Sequence, residues 1–443
     1  MLQRLRILDL TLITMGAVIG SGIFRNPAVV AQRAHVPGLI LGCWIAGGFM
    51  AMIAAFVFAE LAARRPLSGG LYAYLRDAYS PLVAFLLGWT VLLIAYTGST
   101  AASAVLFSGY FLSLIGLHAD ARIVAVTAIA VVTVINVLGV RQGSTWQNLL
   151  VALKVFGIGG VIVAGFIAHP IAVHASAPAT FGSPLAWVSA AGVAMLPVLF
   201  AYNGFQSATY VTGETHDPGK TIPRGLLFGV AFVVAIYLLV NVVCLRILGP
   251  AALAATKTPA ADVMSAAFGR AGAVAIAAAI ATSTLGYMST GVLLAPRLYF
   301  QMSADGLFFK QIAWISPRTH VPAIAIVLHG TIAAIIAASG TFEQIVNWVT
   351  LPDWIFVMLA AIALFVFRKR EAHLPRPAFT VPGHPWSTLL LIAAVIGVAI
   401  SVIAIYPWDS LYGAIVLASG AVFFYIWKAL HASSATGGRE VVP

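Results

Sequence analysis

Gly16, Gly20 and Gly22 fall within seven residues of an apolar stretch, with Ser21 between the last two and Val18, Ile19 and Ile23 beside them. Each glycine weakens a helix by about 1 kcal/mol relative to alanine, so the helix is expected to unwind there. A second apolar stretch runs from Pro197 through Phe200, Ala201, Tyr202, Asn203 and Gly204 to Phe205. In hydrocarbon, unwound backbone is tolerated only where a cavity supplies new partners. Two such breaks side by side would suit a zwitterion. The N–H groups of Gly20, Ser21, Gly22 and Ile23 would open the next half-helix, where a carboxylate is favoured, and the Ser21 hydroxyl adds a donor. Carbonyls at Val18, Ile19, Phe200, Ala201 and Asn203 would accept from an ammonium group. The chemistry is recognition of an α-amino acid by bare backbone.

Each residue also has a plainer role. Gly16 and Gly20 have the small-xxx-small spacing of close helix packing. Phe200 either packs in the core or closes over a substrate as a gate. Asn203 is costly in hydrocarbon without partners, which favours a cavity wall. Lys154 lies about ten residues into a span that begins near Thr145, and a cation at that depth is expensive. Its expected partners are carbonyls from Gly16 to Ile19 and the hydroxyls of Ser283 and Thr284; snorkelling to the inner face is the alternative. Glu60 is either an inner gate residue or half of a surface pair with Arg64, four residues on. Arg25 lines an outer vestibule or pairs with an acid.

These residues need membrane helices to hold them. Of 443 residues, 61% are hydrophobic and 8% charged, more apolar than a soluble domain tolerates. Runs of about 20 apolar residues suit the membrane core, and about twelve are legible: 8–33, 38–63, 81–114, 121–139, 145–168, 185–212, 224–248, 271–302, 321–339, 344–368, 386–406 and 410–430. The runs lack the alternation of a β-barrel, so the class is an all-α polytopic membrane protein. Short polar connections join the spans, and 251–269 is expected to lie across the outer surface as a short helix or two. The net charge of +11 does not cluster as a nucleic-acid footprint would. Arg4, Arg6, Arg64, Arg65 and Arg368–Arg370 thread to one side with most other cations, while only Arg33, Arg122, Arg246, Lys257 and Arg270 thread to the other. The positive-inside rule then puts both termini in the cytoplasm. Met1–Asp9 is too short and too mixed for a cleaved signal. Cys43 and Cys244 carry no disulfide framework or metal site, and no cofactor is implied.

Interrupted spans at matching places of two five-helix halves point to an inverted-repeat transporter with a midplane site. The halves are 1–172 and 173–372, followed by 373–443 with two more helices and a tail.

At this level the residues resemble the amino acid–polyamine–organocation superfamily, most closely the bacterial relatives of the L-type amino acid transporters. Gly20-Ser21-Gly22-Ile23-Phe24 is similar to its first-helix signature. A longer match runs from Ala59-Glu60-Leu61 through Pro66-Leu67-Ser68-Gly69-Gly70-Leu71-Tyr72-Ala73-Tyr74-Leu75 to Phe85-Leu86-Leu87-Gly88-Trp89. Glu214, Pro218, Lys220, Ile222, Pro223 and Arg224 resemble the loop after the broken sixth helix. Glu60 and Glu214 resemble inner-gate or loop-anchoring positions, and Lys154 the fifth-helix lysine of many sodium-independent members. Asn203 stands where relatives commonly carry Gly, Ser or Asp, and Phe205 where many carry Trp. The resemblance implies broken helices 1 and 6, a five-plus-five inverted repeat with two extra helices, and ATP-independent uptake or exchange of L-amino acids. It also implies that Lys154 stands in for a cation held between the first and eighth spans of sodium-coupled relatives.

The leading expectation is a sodium-independent carrier or exchanger of small neutral L-amino acids in the inner membrane. The neutral preference rests on the absence of an acidic side chain near the breaks. A proton-coupled carrier of cationic amino acids, amines or polyamines is the rival. A sensor with a permease fold is the alternative of another class, disfavoured by the lack of a signalling domain. An enzyme is excluded by the lack of paired intramembrane carboxylates, metal spacing or an activated nucleophile. Membrane lipid and a small amino acid are the expected partners, with monomer and homodimer both open.

Overall fold

The computed structural model describes residues 5–66, 69–139, 144–170, 182–319 and 321–436, without the side chains of 144–150, 213–214 and 431–436. Leu67 and Ser68 of the second motif, Arg4, the 172/173 boundary and the Glu214 side chain therefore lie outside the described residues. Among the described residues the chain is helical, with one isolated bridge between Leu5 and Thr215.

The first span is two helices, α1 (Ile7–Val18) and α2 (Gly22–Ala34), bent by 45° at the glycine-rich segment. Next come α3 (Pro37–Arg64) and α4 (Gly70–Ala78). The third span is α5 (Pro81–Thr90) and α6 (Tyr96–Ile115), joined by a π-helical turn over Val91–Ala95. α7 (Ala121–Val137), α8 (Ser144–Ile167) and α9 (Pro184–Tyr202) follow, and α9 gives way at Asn203–Gly204 to a 3₁₀ stretch over Phe205–Glu214. The rest comprises α10 (Pro218–Ala255), α11 (Pro259–Ala304), α12 (Ala323–Ser339), α13 (Phe342–Arg370), α14 (Trp386–Ile405) and α15 (Pro407–Thr436).

Eight of these helical runs are long and apolar enough to cross a bilayer, and the α1–α2 pair passes as one broken span. Three shorter apolar helices, Ala121–Val137, Val151–Ile167 and Ala323–Ser339, occupy the places of the expected fourth, fifth and ninth spans. Two expectations about connections fare differently. Gly249 (φ 69°) and Gly269 (φ 59°) break α10 and α11, so 250–268 forms two short helices, as expected from composition. The connection 65–80, expected as a polar turn, instead contains α4, whose Tyr72, Tyr74 and Leu75 are buried. Gly70, at φ 50°, lies so close to Thr209 Oγ1 that a Cβ there would meet it at 2.4 Å.

Packing follows a regular offset. α2 lies on α9, α3 on α10, α6 on α11 and α7 on α12, so each of the first four expected spans touches the one five places later. The cross pairs are also reciprocal: α1 packs on α10 and α9 on α3, α8 on α11 and α13 on α6.

At one end of the bundle the charged residues form a network rather than a solvated rim. Glu60 is fully buried and accepts from Arg64 Nε at 2.8 Å, from Arg368 Nε at 2.9 Å and Nη2 at 2.5 Å, and from the Val381 N–H at 2.7 Å. The expected Glu60–Arg64 surface pair is thus corrected: the carboxylate ties α3 to α13 and to the segment beyond it. Arg64 and Arg65 share Glu371, Arg65 and Arg76 share Asp77, and Arg76 with Tyr72 holds Asp305 at the end of α11. A carboxylate with four donors is satisfied, whereas removal of one partner leaves buried charge uncompensated. Glu60→Ala is therefore expected to lower the unfolding free energy by on the order of 3 kcal/mol, read as a lower thermal midpoint of the detergent-purified protein.

Candidate functional site

α1 ends because Ile19, at φ −72° and ψ 88°, leaves the helical region, and α2 restarts at Gly22 with Ser21 as its cap. Across from it, Asn203 is extended (φ −73°, ψ 160°) and Gly204 left-handed (φ 104°). The two breaks touch. A Cβ on Gly204 would stand 2.5 Å from the Ala17 carbonyl oxygen, and one on Gly22 would stand 2.7 Å from Ala201 Cα. These two glycines are required by close backbone approach, and Gly204 also by its φ. Gly16 serves packing, since a Cβ there would meet Val151 at 2.7 Å.

The severed backbone groups divide into satisfied and open sets. Lys154, only 4% exposed, donates from Nζ to the Gly16 carbonyl at 3.3 Å and the Ile19 carbonyl at 3.1 Å, with the Tyr287 ring centre 5.8 Å away. A cation thus sits at the negative end of the α1 dipole. The Tyr237 hydroxyl donates to the Val18 carbonyl at 3.1 Å. Val18 and Ile19, expected to receive an ammonium group, already have protein donors in this conformation. Ser283 and Thr284, expected beside Lys154, do not bond it: Thr284 donates to the Ile280 and Ala281 carbonyls of its own helix, and the buried Ser283 hydroxyl has no partner. Among the described hydrogen bonds none is donated by the N–H of Gly20, Ser21, Gly22 or Ile23. Those groups lie buried at the positive end of α2, where Ser21 accepts from Ser103 Oγ at 3.2 Å.

Phe200 is buried and meets Phe342 edge-on at 6.2 Å. The same side is closed by Arg25, which pairs with Glu343 on α13 and donates to the Thr256 carbonyl at 2.7 Å. Of the two roles open to Arg25, the structure gives the pairing. Arg33 adds bonds to the Val193 carbonyl (2.8 Å) and Asn347 (2.9 Å), and Asn347 in turn bonds Asp409 (3.0 Å).

On the other side of the breaks lies a narrow cavity of about 20 Å³, room for about one water molecule. Its walls are Ala17 from α1; Asn203, Gly204 and Ser207; Tyr96, Ser99 and Thr100 from α6; and Tyr287, Thr290, Gly291 and Leu294 from α11. Tyr287 separates this cavity from the open N–H groups, its ring 3.0 Å from where a Gly20 Cβ would be. Behind Thr100, the buried His329 bridges the Thr100 hydroxyl (3.1 Å) and Tyr299 (3.2 Å). Of the expected binding residues only Asn203 lines the cavity; Val18 to Ile23, Phe200 and Ala201 lie above it, packed against one another.

One expectation is overturned outright. Asn203 donates its amide to Asp353, a carboxylate 2% exposed in the middle of α13, and accepts from Gln206 at 3.2 Å. An acidic side chain does stand at the break. Asp353 was visible as a lone acid within an apolar run, but its nearness to Asn203 needed the fold. Tyr287, Tyr237 and Tyr96 were also missed, because tyrosine in a membrane span carries no sign of which face it presents.

Two broken helices packed against each other beside a narrow hollow, in a bundle with eight helical runs long and apolar enough to cross a bilayer, are the pattern of a membrane transporter. The amino acid permease family model matches residues 5–426, and the chain belongs to that family. It is 29% identical over 424 residues to the human b(0,+)-type amino acid transporter 1, covering 94% of this chain and 86% of the relative. It is 28% identical over 390 residues to the serine/threonine exchanger SteT of Bacillus subtilis, covering 87% of each, and 28% identical over 399 residues to the branched-chain amino acid permease BcaP of the same organism, covering 85% and 83%. A transporter rather than an enzyme is what this membership means.

The contact at Gly204 supplies a test. Gly204→Ala puts a methyl group into the Ala17 carbonyl at a left-handed φ, and is expected to cost about 1–3 kcal/mol, seen as reduced thermal stability of the purified protein; Gly38→Ala, in open space, is the neutral control.

Proposed function

We propose that the protein is a sodium-independent carrier or exchanger of small L-amino acids, working by alternating access around the paired breaks. The observation that carries this reading is the division of the severed backbone groups. The C-terminal end of α1 is neutralised by Lys154 and Tyr237, while the N–H groups that open α2 have no described acceptor. A substrate carboxylate fits there, where donors converge at a helix N-terminus. The α-ammonium falls to the opposite break: the Ala201 carbonyl accepts none of the described bonds, whereas that of Phe200 accepts from the Asn203 N–H at 3.3 Å. Ser21, Gly20, Gly22, Ile23, Phe200, Ala201 and Asn203 retain their proposed site roles on this basis, and Val18 and Ile19 serve through their bonds to Tyr237 and Lys154.

Lys154 supports independence from sodium. Its amino group bonds the Gly16 and Ile19 carbonyls at the end of α1, beside the Tyr287 ring of α11, the place that the family resemblance gives to a cation in sodium-coupled carriers. The regular five-place packing offset supports division into repeats 1–172 and 173–372, with 373–443 added outside them. Alternating access would then open the Arg25–Glu343 and Phe200–Phe342 closure on one side and the Glu60 network, as inner gate, on the other. The cation-rich Glu60 end is read as cytoplasmic, with both termini on the cytoplasmic side of the inner membrane. The relatives named as exchangers and permeases of amino acids favour the same substrate class.

The restriction to neutral side chains loses its ground with Asp353 at the break. That residue favours the second reading, in which the substrate brings an additional positive charge.

Proteoliposomes loaded with unlabelled amino acids and offered labelled ones in sodium-free medium are expected to show counterflow. Lys154→Ala is expected to slow it about ten-fold or more, the loss of charge-assisted bonds of roughly 1.5–3 kcal/mol. Unchanged exchange in that variant under every ion gradient would reject the role given to Lys154.

A further inference from the structure

We propose that Asp353 and Asn203 form the subsite for the side chain of the substrate, and that the group it takes is a cation, an ammonium or guanidinium carried by a basic amino acid. This rests on the transport reading above and names the substrate class for that site.

The observations are geometric. Asp353 lies in the middle of α13, a helix of 29 residues, directly after Pro352. It is buried to 2% exposure, yet none of the described ion pairs involves it, and among the described hydrogen bonds its one donor is the Asn203 amide. Among the described residues the one other buried carboxylate, Glu60, has Arg64 and Arg368 as cations, and even the partly exposed Glu343 has Arg25. An ionised carboxylate at bilayer depth without a counter-charge is expensive. Asn203 is at once the donor to Asp353 and a wall of the cavity, so the carboxylate is one amide away from the space a substrate would enter. Tyr96 and Tyr287 line the same cavity. Their rings offer a cation the faces it prefers.

Charge balance gives the substrate class. The α-carboxylate and α-ammonium of an amino acid are provided for by the two breaks, and the Lys154 charge is already held by the α1 carbonyls. A neutral side chain would leave Asp353 uncompensated, whereas a basic one neutralises it. The cation displaces the Asn203 amide from Asp353, and Asn203 keeps Gln206, 3.2 Å from its Oδ1.

The full-length protein in liposomes loaded with L-arginine would be offered labelled L-arginine, L-lysine, putrescine, L-alanine and L-leucine in separate assays. Arginine and lysine are expected to exchange in preference to alanine. In Asp353→Asn the arginine-to-alanine ratio is expected to fall by about ten-fold or more, as loss of a buried charge partner requires, and Asp353→Glu is expected to restore part of it. Should Asp353→Asn fold poorly, the stabilisation of Asp353→Glu and of the unmodified protein in detergent by arginine over alanine gives the same ranking. Alanine exchange that arginine and lysine do not inhibit overturns the proposal while leaving the transport reading intact. So does a ratio unchanged within about two-fold in Asp353→Asn, or alanine uptake whose dependence on a pH gradient disappears in that variant, which would assign the carboxylate to a proton. Absence of exchange for every amino acid overturns the transport reading itself, and this inference with it.

Discussion

Backbone groups within a bilayer must find partners inside the protein, and the two helix breaks are where this chain meets that demand by other means than a helix. At the first break Lys154 and Tyr237 take the carbonyls of Gly16, Val18 and Ile19. At the second, Asn203 turns back on Phe200, and Gly204 presses against the Ala17 carbonyl. The asymmetry that results, closed carbonyls at α1 and open N–H groups at α2, makes the region receptive to an anion. Without α8 and α10 to deliver Lys154 and Tyr237, the same glycines would only weaken a helix.

The remainder of the bundle holds these breaks in contact and closes their two sides differently. On one side the closure is compact: one half-buried ion pair between α2 and α13, an aromatic pair, and Arg33 bridging α9 and α13. On the other it is an extended network from Glu60 through Arg64, Arg65, Asp77 and Arg76 to Asp305, which joins the ends of α3, α4, α11 and α13. Both closures are charge-assisted: the first ties α2 to α13, the second ties α3, α4, α11 and α13 to one another. Such contacts can exchange protein partners for water at modest net cost where they are partly exposed. Glu60, fully buried with four donors, is the exception and reads as the anchor of its end.

Much of the fold was legible. Apolar runs of membrane length, their polar ends and the glycine pattern located most of the helices within a few residues, and both breaks fell where Gly20–Gly22 and Asn203–Gly204 stand, because the cost of glycine in a helix is local. The two short helices of 250–268 were likewise legible, since Gly249 and Gly269 end the helices on either side. The connection holding α4 misled, because its tyrosines and arginines read as polar while their burial depends on the 3₁₀ stretch and α13 packing over them.

The site was legible only in part, and the division has a single physical cause. Sequence by itself determined what concerns one segment: where a helix fails, that Lys154 is too deep to be idle, that Arg25 and Glu60 are unusual. The tertiary structure alone decided what concerns two: that Lys154 reaches Gly16 and Ile19 rather than Ser283 and Thr284, that Tyr287 stands over Gly20, that Glu60 belongs to Arg368 as much as to Arg64. It also decided that Asp353, 150 residues from Asn203 along the chain, meets it at the break. Helical periodicity tells which residues share a face but not which face meets which, because in a bundle where nearly every surface is apolar the hydrophobic pattern no longer distinguishes inside from outside.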